Sequence, residues 1–190
     1  MSIKSIARSI VLTTVLGSLD VIPAAAAGVE KMLSDCGAGS CPFDSASIST
    51  PAGWMHDDFA ERTLHMKVLV RSGQSFGSTD AFILATVLPN LGNDSIADLV
   101  WRGQTFIRAQ TPDVTIRALP DLARANGKVG FLVFQYEKPN ASTRRFERIA
   151  TTMDTDKDGN VFVVSISLTA DSAAVLEAAE ASYLEVLRRY

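Results

Sequence analysis

Residues 145–168 read RFERIATTMDTDKDGNVFVVSISL and contain the most informative pattern in the chain. In Val161–Leu168 the apolar side chains alternate with period 2, which is typical of a strand with one buried face. Asp154–Asn160 consists mainly of Asp, Asn and Gly, the residue types that turns favour. The stretch therefore predicts two strands, Arg145–Met153 and Val161–Leu168, that pair as an antiparallel hairpin.

Further strands are predicted upstream of this hairpin. Asp80–Leu88 (DAFILATVL) is apolar on both faces, which indicates a central strand. Leu64–Val70 alternates apolar and polar residues, which indicates a strand with one buried face. Asn126-Gly127 favours a type I′ turn because both of its positions need a positive φ angle. This turn predicts a hairpin between Val114–Ala118 and Val129–Glu137.

One segment in the middle of the chain has helical periodicity instead. Apolar or small residues fall at i, i+3, i+4, i+7 and i+11 from Ile96, which makes one helical stripe. Ser95 and Asp98 have capping-box spacing, so the helix is predicted to start near Ser95. Gly103 lies in this stripe and is about 1 kcal/mol less favourable than Ala in a helix. Its presence predicts close packing at that position.

A second helix is predicted from about Ser172 to Arg189, with Asp171 as its N-cap. Its inner stripe consists of Leu176, Ala179, Tyr183, Val186, Leu187 and Tyr190. Strands that surround one helix and are followed by another are typical of an α+β fold. We expect a largely antiparallel sheet packed with two helices, an α/β/α-type layered domain.

The N-terminus has the three parts of an export signal. Lys4 and Arg8 supply positive charge, Ser9–Leu19 is apolar, and a run of small residues ends at Ala27. The alternative is an uncleaved anchor, but Asp20 interrupts the apolar run well short of the about 20 residues that cross a bilayer. We therefore expect residues 1–27 to be a cleaved signal peptide, no membrane span afterwards, and a periplasmic or secreted protein.

Residues 28–45 are small, polar and rich in Gly, and are predicted to form a loosely held N-terminal arm. The arm contains Cys36 and Cys41, which can close a small disulfide loop in an oxidising compartment. The alternative is a redox pair, but the four-residue spacer lacks the C-x-x-C spacing that lowers a thiolate pKa. The structural disulfide is the preferred interpretation.

Composition and charge exclude several classes of protein. The chain is 47% hydrophobic and 21% charged, which argues against disorder. Lys4, Arg8 and Asp20 fall within residues 1–27, so the 18 basic and 21 acidic side chains of the chain become 16 and 20. This mildly acidic balance lacks the positive patch that nucleic acid requires. Two His and two Cys are too few for most multi-ligand zinc, haem and iron–sulfur sites.

A short predicted strand, Ser47–Thr50, runs into the P-x-G-W motif Pro51–Trp54. Together with the middle helix, the meander of strands and the terminal helix, this motif resembles the PsbP-like fold family, and in particular its exported bacterial members, the DcrB-like envelope proteins. The resemblance covers residues 46–190, which we expect to form a single domain. It implies a non-enzymatic module that binds proteins or assists assembly, and it carries over no site residues.

One motif suggests a metal site. Asp154, Asp156, Asp158 and Asn160 fall at the spacing of the first part of an EF-hand loop, with Gly159 at its sixth position. The bidentate Glu expected at position 12 is replaced by Ser165, so any calcium affinity should be weak. The alternative is a plain hairpin turn, since turns favour the same residues, and it is the preferred interpretation.

No catalytic motif is visible. His56 beside Asp57 and Asp58 suggests acid–base chemistry, but a surface turn accounts for it better, and His65 falls on the polar face of its predicted strand. Trp54 and Trp101 are interpreted as core or edge anchors. The sequence predicts no catalytic residue, no cofactor and an unknown protein partner. The expected function is an exported protein-binding or envelope-assembly module, in a narrower version an immunity-type protein. The alternative is a periplasmic protein that binds a small molecule or calcium.

Overall fold

The computed structural model describes residues 28–35, 39–124 and 127–190. The predicted signal peptide, Cys36 and Asn126 lie outside the described residues. The described elements are, in chain order, β1 (Val29–Asp35), β2 (Ser40–Ala46), β3 (Trp54–His56), α1 (Asp58–Leu64), β4 (Lys67–Arg71), β5 (Ala81–Pro89), α2 (Ile96–Gln110), β6 (Thr115–Ala118), β7 (Leu132–Glu137), β8 (Phe146–Thr155), β9 (Val161–Ala170) and α3 (Ala173–Arg189). No helix among them is long and apolar enough to cross a membrane.

Seven strands form one sheet in the order β3-β4-β5-β9-β8-β7-β6, and every neighbouring pair is antiparallel. The predicted hairpin is its longest ladder, since β8 pairs with β9 from Phe146↔Ala170 to Thr155↔Val161. β9 is the middle strand, and β5 is its other neighbour. The expected α+β fold is confirmed.

The main core lies between α3 and one face of the sheet. β9 contributes its even-numbered apolar side chains, and the whole predicted inner stripe of α3 is buried against them. Tyr183 is fully buried, and its hydroxyl donates to the Ile166 carbonyl oxygen at 2.7 Å. A hydroxyl buried in this way needs a partner, and the backbone of β9 supplies one. The periodicity of α3 therefore predicts its packing correctly.

The opposite face of the sheet carries α1 and α2. α1 packs over a small second cluster of Ala60, Val68, Val70 and Phe82. Residues 58–64 were not predicted to be helical, because the alternation at Leu64–Val70 suggested a longer strand. The structure starts β4 only at Lys67, and His65 ends α1 with a left-handed φ of 55°. The layered arrangement, with helices on both faces, is as expected.

The described part of residues 28–45, predicted as a loosely held arm, forms most of the hairpin of β1 and β2, a two-stranded sheet of its own. Val29 and Ala46 pack against the main core, and the Ser47 amide donates to the Gly28 carbonyl oxygen at 2.8 Å. Val29 and Ala46 pair with each other, so these contacts hold the open end of the hairpin against the domain. The predicted strand at Ser47–Thr50 is absent, because β2 ends at Ala46.

Two element boundaries also differ from expectation. The N-cap of α3 is Ser172, whose Oγ accepts from the Val175 amide at 3.3 Å. Asp171 instead accepts from the Arg144 amide at 2.7 Å. β6 and β7 pair antiparallel as predicted, but β7 begins at Leu132 rather than at residue 129. β6 ends at Ala118, so the connection between the two strands is longer than the predicted two-residue turn.

Candidate functional site

α2 begins as the sequence predicts. Ser95 is its N-cap, and its Oγ accepts from the Asp98 amide at 3.2 Å. None of the 15 residues of α2 is fully buried, whereas five residues of α3 are. An amphipathic helix on a sheet normally buries its apolar stripe. Space therefore remains between α2 and the sheet.

This space is a cleft of about 350 Å³, which we call the α2 cleft. α2 forms its roof and strands β5, β9, β8 and β7 form its floor. Most of the lining side chains are aliphatic or aromatic, and few are polar. The lining residues are Leu88, Pro89, Leu99, Val100, Gly103, Ile107, Phe134, Tyr136, Ile149, Thr151, Val163 and Ser165.

The α2 cleft is elongated. Its roof extends from Leu99 to Ile107, eight residues that span about 12 Å at the rise of an α-helix. Its floor crosses from Leu88 on β5 to Tyr136 on β7, three strand spacings or about 14 Å. Residues of α2 and of all four strands line the cleft, so it lies between this helix and the sheet.

Gly103 widens this cleft. A Cβ atom built at Gly103 would meet no atom within 4 Å, so the close packing predicted there is wrong. Glycine weakens a helix by about 1 kcal/mol relative to alanine. At this position no steric contact and no positive φ requires it. Because Gly103 has no side chain, α2 fills less of the cleft at this position.

The two ends of the cleft differ in polarity. One end is apolar, with Leu88, Pro89 and Leu99. The other contains the Tyr136 hydroxyl, which is hydrogen-bonded to Gln104 and lies within electrostatic range of Arg108. Gln104 and Arg108 are one helical turn apart on α2, so they lie on the same side of the helix. The polar group that lines this end of the cleft is thus the Tyr136 hydroxyl, and Gln104 and Arg108 lie outside the lining.

The Tyr136 hydroxyl is a hydrogen-bond donor at neutral pH. Burial raises the pKa of Tyr136, and the Glu147 carboxylate raises it further, while Gln104 and Arg108 lower it by less. Glu147 itself is paired with Lys138 at 3.3 Å. The two hydroxyls on the cleft floor, Thr151 Oγ1 and Ser165 Oγ, lie 3.2 Å apart and bond each other. The hydroxyl groups on the cleft floor therefore have hydrogen-bond partners within the protein.

Large apolar side chains are exposed beside the cleft. Four fall within residues 88–106: Leu88, Leu91, Trp101 and Phe106, with 65%, 90%, 65% and 64% of their surface exposed. We call these four residues the α2 surface. Trp101 and Phe106 are five residues apart, about 140° around the helix, so they project from opposite flanks of α2. Trp101, interpreted as a core or edge anchor, therefore packs into no core.

The Asp154–Asn160 segment is held together as a turn. Asp156 Oδ1 accepts from the amides of Asp158 and Asn160, and Asp156 Oδ2 accepts from Asn160 Nδ2, each at 2.9 Å. These bonds lower the pKa of Asp156, the Asn160 side chain most. The Asn160 side chain thus binds Asp156 through its amide nitrogen. These hydrogen bonds are of the kind that holds a hairpin turn, which is the preferred interpretation of this motif.

Asp154, the first of the four proposed calcium ligands, has other partners. Its Oδ2 lies 2.7 Å from Arg124 Nη2 and 3.5 Å from Lys128 Nζ. Burial alone would raise the pKa of Asp154, but the Arg124 hydrogen bond, the Thr155 amide and the charges of Arg124 and Lys128 lower it below its ordinary value. Within the described residues no three His, Cys, Asp or Glu side chains are grouped so that they could hold a metal ion.

His56 takes part in a structural contact rather than a surface turn. Its Nδ1 lies 2.5 Å from Glu61 Oε1, which also accepts from the Val68 amide at 3.1 Å. Asp57 caps α1 by accepting from the Ala60 amide at 3.0 Å. Glu61 is buried, so these bonds fix α1 against β3 and β4. The structure thus brings His56 together with Glu61, whereas Asp57 serves as a cap.

The other residues singled out in the sequence have simpler positions. Trp54 is buried in the main core, and the Arg71 guanidinium lies 5.3 Å from its ring, so its interpretation as an anchor is confirmed. His65 is the C-cap of α1. Cys41 lies on β2, but Cys36 lies outside the described residues. The disulfide between them stays a prediction.

The residues that form the α2 cleft were not predicted as a site. Its floor comes from four strands that are distant in sequence, and only the sheet order brings them together. One signal was present. Tyr136 places a polar group near the end of a largely apolar strand, and Gln104 and Arg108 are polar residues at i and i+4 on the amphipathic helix.

Comparison with known proteins gives little more. No protein-family model matches the chain, and no curated protein sequence matches it. Among solved structures the chain is similar to the Ran-binding protein Mog1p of Saccharomyces cerevisiae, with 14% identity, 82% of this chain and 85% of that chain covered, and a TM-score of 0.40. A similarity of this size assigns no function to the chain.

Proposed function

We propose that the protein is an exported, non-enzymatic module of the PsbP-like kind that binds a partner protein through the α2 surface. The observation that supports the proposal most is the exposure of Leu88, Leu91, Trp101 and Phe106 on and beside one helix. Several large apolar side chains exposed in one region of a protein are typical of an interaction site. Tryptophan is also among the residues that contribute most binding energy at interfaces.

The way α2 is attached to the sheet also favours binding by this helix. Its apolar stripe is only half-buried, so part of its hydrophobic surface is still available to a partner. The flank that carries Trp101 also carries Gln104 and Arg108, three and seven residues later. A partner that covers this flank would bury an aromatic side chain and meet polar groups beside it, a common composition for an interface.

The absence of enzymatic activity is part of the proposal. The titratable side chains that could suggest catalysis have structural partners in the described chain. Glu61 holds His56 and the Val68 amide, and Asp154 holds Arg124. Because these groups have structural partners, we propose a binding module rather than an enzyme.

Its place in the cell follows from the predicted signal peptide. We propose that the mature protein works in the periplasm or outside the cell, either in the assembly of an envelope complex or as an immunity-type protein. Both roles need a specific protein partner rather than a substrate. The α2 surface is the part of the molecule that we expect the partner to cover.

A pair of matched variants tests this proposal. Trp101→Ala combined with Leu91→Ser removes two side chains of the α2 surface, and neither is buried, so the fold should be retained. Phe59→Ser removes an equally exposed apolar side chain from α1. We expect a periplasmic or secreted-fraction partner to be recovered by the wild type and by Phe59→Ser, and to be lost with the double variant. Equal recovery by all three proteins would refute the assignment of the surface.

A further inference from the structure

β1 lies at the edge of its two-stranded sheet, and its outer side has no neighbouring strand among the described residues. The Ser47 amide donates to the Gly28 carbonyl oxygen, so these two residues form a hydrogen-bonded pair of the antiparallel ladder. Such pairs recur at every second residue of a strand. The amides and carbonyl groups of Val29, Lys31 and Leu33 therefore point away from β2, and no hydrogen bond in the described part of the chain satisfies them.

The other strand edges are less suited to pairing with an added strand. β2 carries Pro42 on its outer side, and proline has no amide hydrogen to donate. β3 has three residues and β6 has four. Short strands and proline both protect an edge against pairing. β1 has seven residues, contains neither Pro nor Gly, and leaves 70% of the Leu33 surface exposed, so it is the described edge that best accommodates a further strand.

A cleft of about 320 Å³ lies between β1 and the turn that joins β8 to β9, and we call it the hairpin cleft. β1 and the turn each contribute three lining residues, and β2 contributes one. Val29 and Lys31 both line the cleft, so a segment that lies in it can reach their outward-pointing backbone groups. The lining residues are Val29, Glu30, Lys31, Asp44, Asp156, Lys157 and Asp158.

The charge of the hairpin cleft favours a basic segment. Four of its lining side chains are carboxylates and two are ammonium groups, which leaves a net charge of −2. Glu30 lies 3.8 Å from Lys67 Nζ, whereas Asp44 and Asp158 make no ion pair in the part of the chain that the structure describes. The same charge disfavours a second copy of this chain as the occupant, because two acidic clefts would then be brought together.

We propose that β1 binds an extended, basic segment of a partner protein, which adds to the β1–β2 hairpin as a third strand. The stretch from Val29 to Leu33 spans about 13 Å at the rise of a strand, and its backbone groups bond the added segment. Successive side chains of a strand point to opposite faces, so lysine or arginine at every second position places all the basic side chains on the side of the cleft. This site is separate from the α2 surface, because the hairpin packs against the main core and α2 lies on the opposite face of the sheet.

The probe is a seven-residue peptide with blocked ends in which lysine alternates with threonine and valine, and its binding is measured by fluorescence anisotropy. We expect saturable binding at one site per chain. The same peptide with glutamate in place of lysine should bind at least tenfold more weakly, because its charge has the sign of the cleft. Methylation of the backbone amides along one edge of the peptide should abolish binding, and methylation along the other edge should not, since only one edge of a strand faces β1.

Two substitutions at one position separate backbone pairing from charge. Lys31→Pro removes an amide that the ladder with β2 does not use, and it also removes a positive charge. Lys31→Gln removes the same charge and keeps the amide. Charge alone would make both variants bind the lysine peptide more tightly than the wild type does. We expect Lys31→Gln to behave in this way and Lys31→Pro to bind at least tenfold more weakly, with a thermal melt to show that Lys31→Pro is folded.

Leu91→Ser, which changes the α2 surface, is the control and should bind the peptide like the wild type. The proposal is overturned if the lysine peptide does not saturate one site, if the lysine and glutamate peptides bind equally, or if folded Lys31→Pro binds as tightly as Lys31→Gln. A concentration-dependent dimer that is lost in Lys31→Pro would show that a second copy covers β1, and would also overturn it. Recovery of a partner through the α2 surface is measured separately, so failure of either proposal leaves the other standing.

Discussion

Arg124 and Asp154 form a buried ion pair that joins the loop before β7 to the end of β8. Arg124 Nη2 lies 2.7 Å from Asp154 Oδ2, and only 1% of the arginine side chain is exposed. The same guanidinium donates to the carbonyl oxygens of Met153 and Tyr190, and lies 4.7 Å from the Tyr190 ring. The Arg124 guanidinium therefore contacts both β8 and Tyr190, the residue that follows α3.

Removal of one partner should be strongly destabilising. We expect Asp154→Ala to lower the free energy of unfolding by about 3–5 kcal/mol, because it leaves the Arg124 charge buried without its carboxylate. Urea denaturation measures this loss. Asp158→Ala, an exposed change in the same turn, is the control and should alter stability by less than about 0.5 kcal/mol. Equal effects of the two changes would contradict a structural role for the pair.

Stability should also fall in acid, in part through Glu61. Burial would raise the pKa of Glu61, but the hydrogen bonds from His56 and the Val68 amide and the charges of His56 and Lys67 lower it below its ordinary value of 4.5. A lowered pKa in the folded state stabilises the fold above the ordinary pKa, and this contribution is lost as the pH falls below 4.5.

Denaturation curves between pH 7 and pH 3 measure this dependence. Glu61→Gln should be less stable than the wild type at pH 7, and the difference should shrink as the pH falls below 4.5. Asp158→Asn is the control, because it changes an exposed side chain in another part of the fold and should alter stability little. If the difference in the free energy of unfolding between the wild type and Glu61→Gln does not change with pH, the proposed contribution of Glu61 ionisation is excluded.

Calcium should have no effect on stability. The Asp156 carboxylate already accepts three hydrogen bonds, and Asp154 is committed to Arg124. We expect melting curves in EDTA and in millimolar calcium to superimpose. If calcium did bind, a concentration of about 100 times its dissociation constant would stabilise the fold by about 2.7 kcal/mol and shift the melting temperature by several degrees. A shift of this kind that is lost in Asp156→Ala would support the calcium site instead.

Gly103→Ala should stabilise the protein by about 1 kcal/mol, because the new Cβ atom meets no atom within 4 Å and alanine favours the helix. Thermal or urea denaturation measures the gain. Gly73→Ala is the opposite control. Gly73 has a φ of +81°, which alanine adopts only with strain, so this change should destabilise. Loss of stability in Gly103→Ala would mean that the helix packs on the sheet more closely than the structure shows.

The export prediction is tested by mass. The secreted or periplasmic protein should begin within a residue of Gly28, and thiol labelling without reductant should modify neither cysteine. An intact mass after labelling measures both properties at once. A full-length mass would contradict cleavage, and two labelled thiols would contradict the disulfide.

The parts of the fold that the sequence predicts well are those with a strong period. The apolar residues of β9 alternate and those of α3 recur with a helical period, so the buried face of each element can be predicted from the sequence alone. α1 was missed because seven residues carry too little helical pattern, and its end merges with the alternation before β4. The β1–β2 hairpin was missed because a few contacts at its open end, and not its own composition, hold it against the domain.

The candidate site was less accessible to prediction for a physical reason. The cleft exists because α2 fails to bury its stripe, and the size of that gap depends on how four strands are ordered beneath it. A glycine in a helical pattern normally indicates close packing, and at Gly103 the structure shows the reverse. Gln104 follows the polar pattern of an amphipathic helix, and only the fold shows that it bonds the Tyr136 hydroxyl.

The position of β9 has a consequence for how the chain acquires its structure. β3, β4 and β5 are neighbours in sequence, as are β6, β7 and β8, but the two groups touch only through β9. Each group can form by local pairing, whereas closing the sheet requires β5 to meet a strand about 80 residues later. Pairing at such separation slows folding. A nascent chain that lacks residues 161–170 therefore has two unjoined half-sheets, and the complete domain forms late, in a single step that depends on one strand.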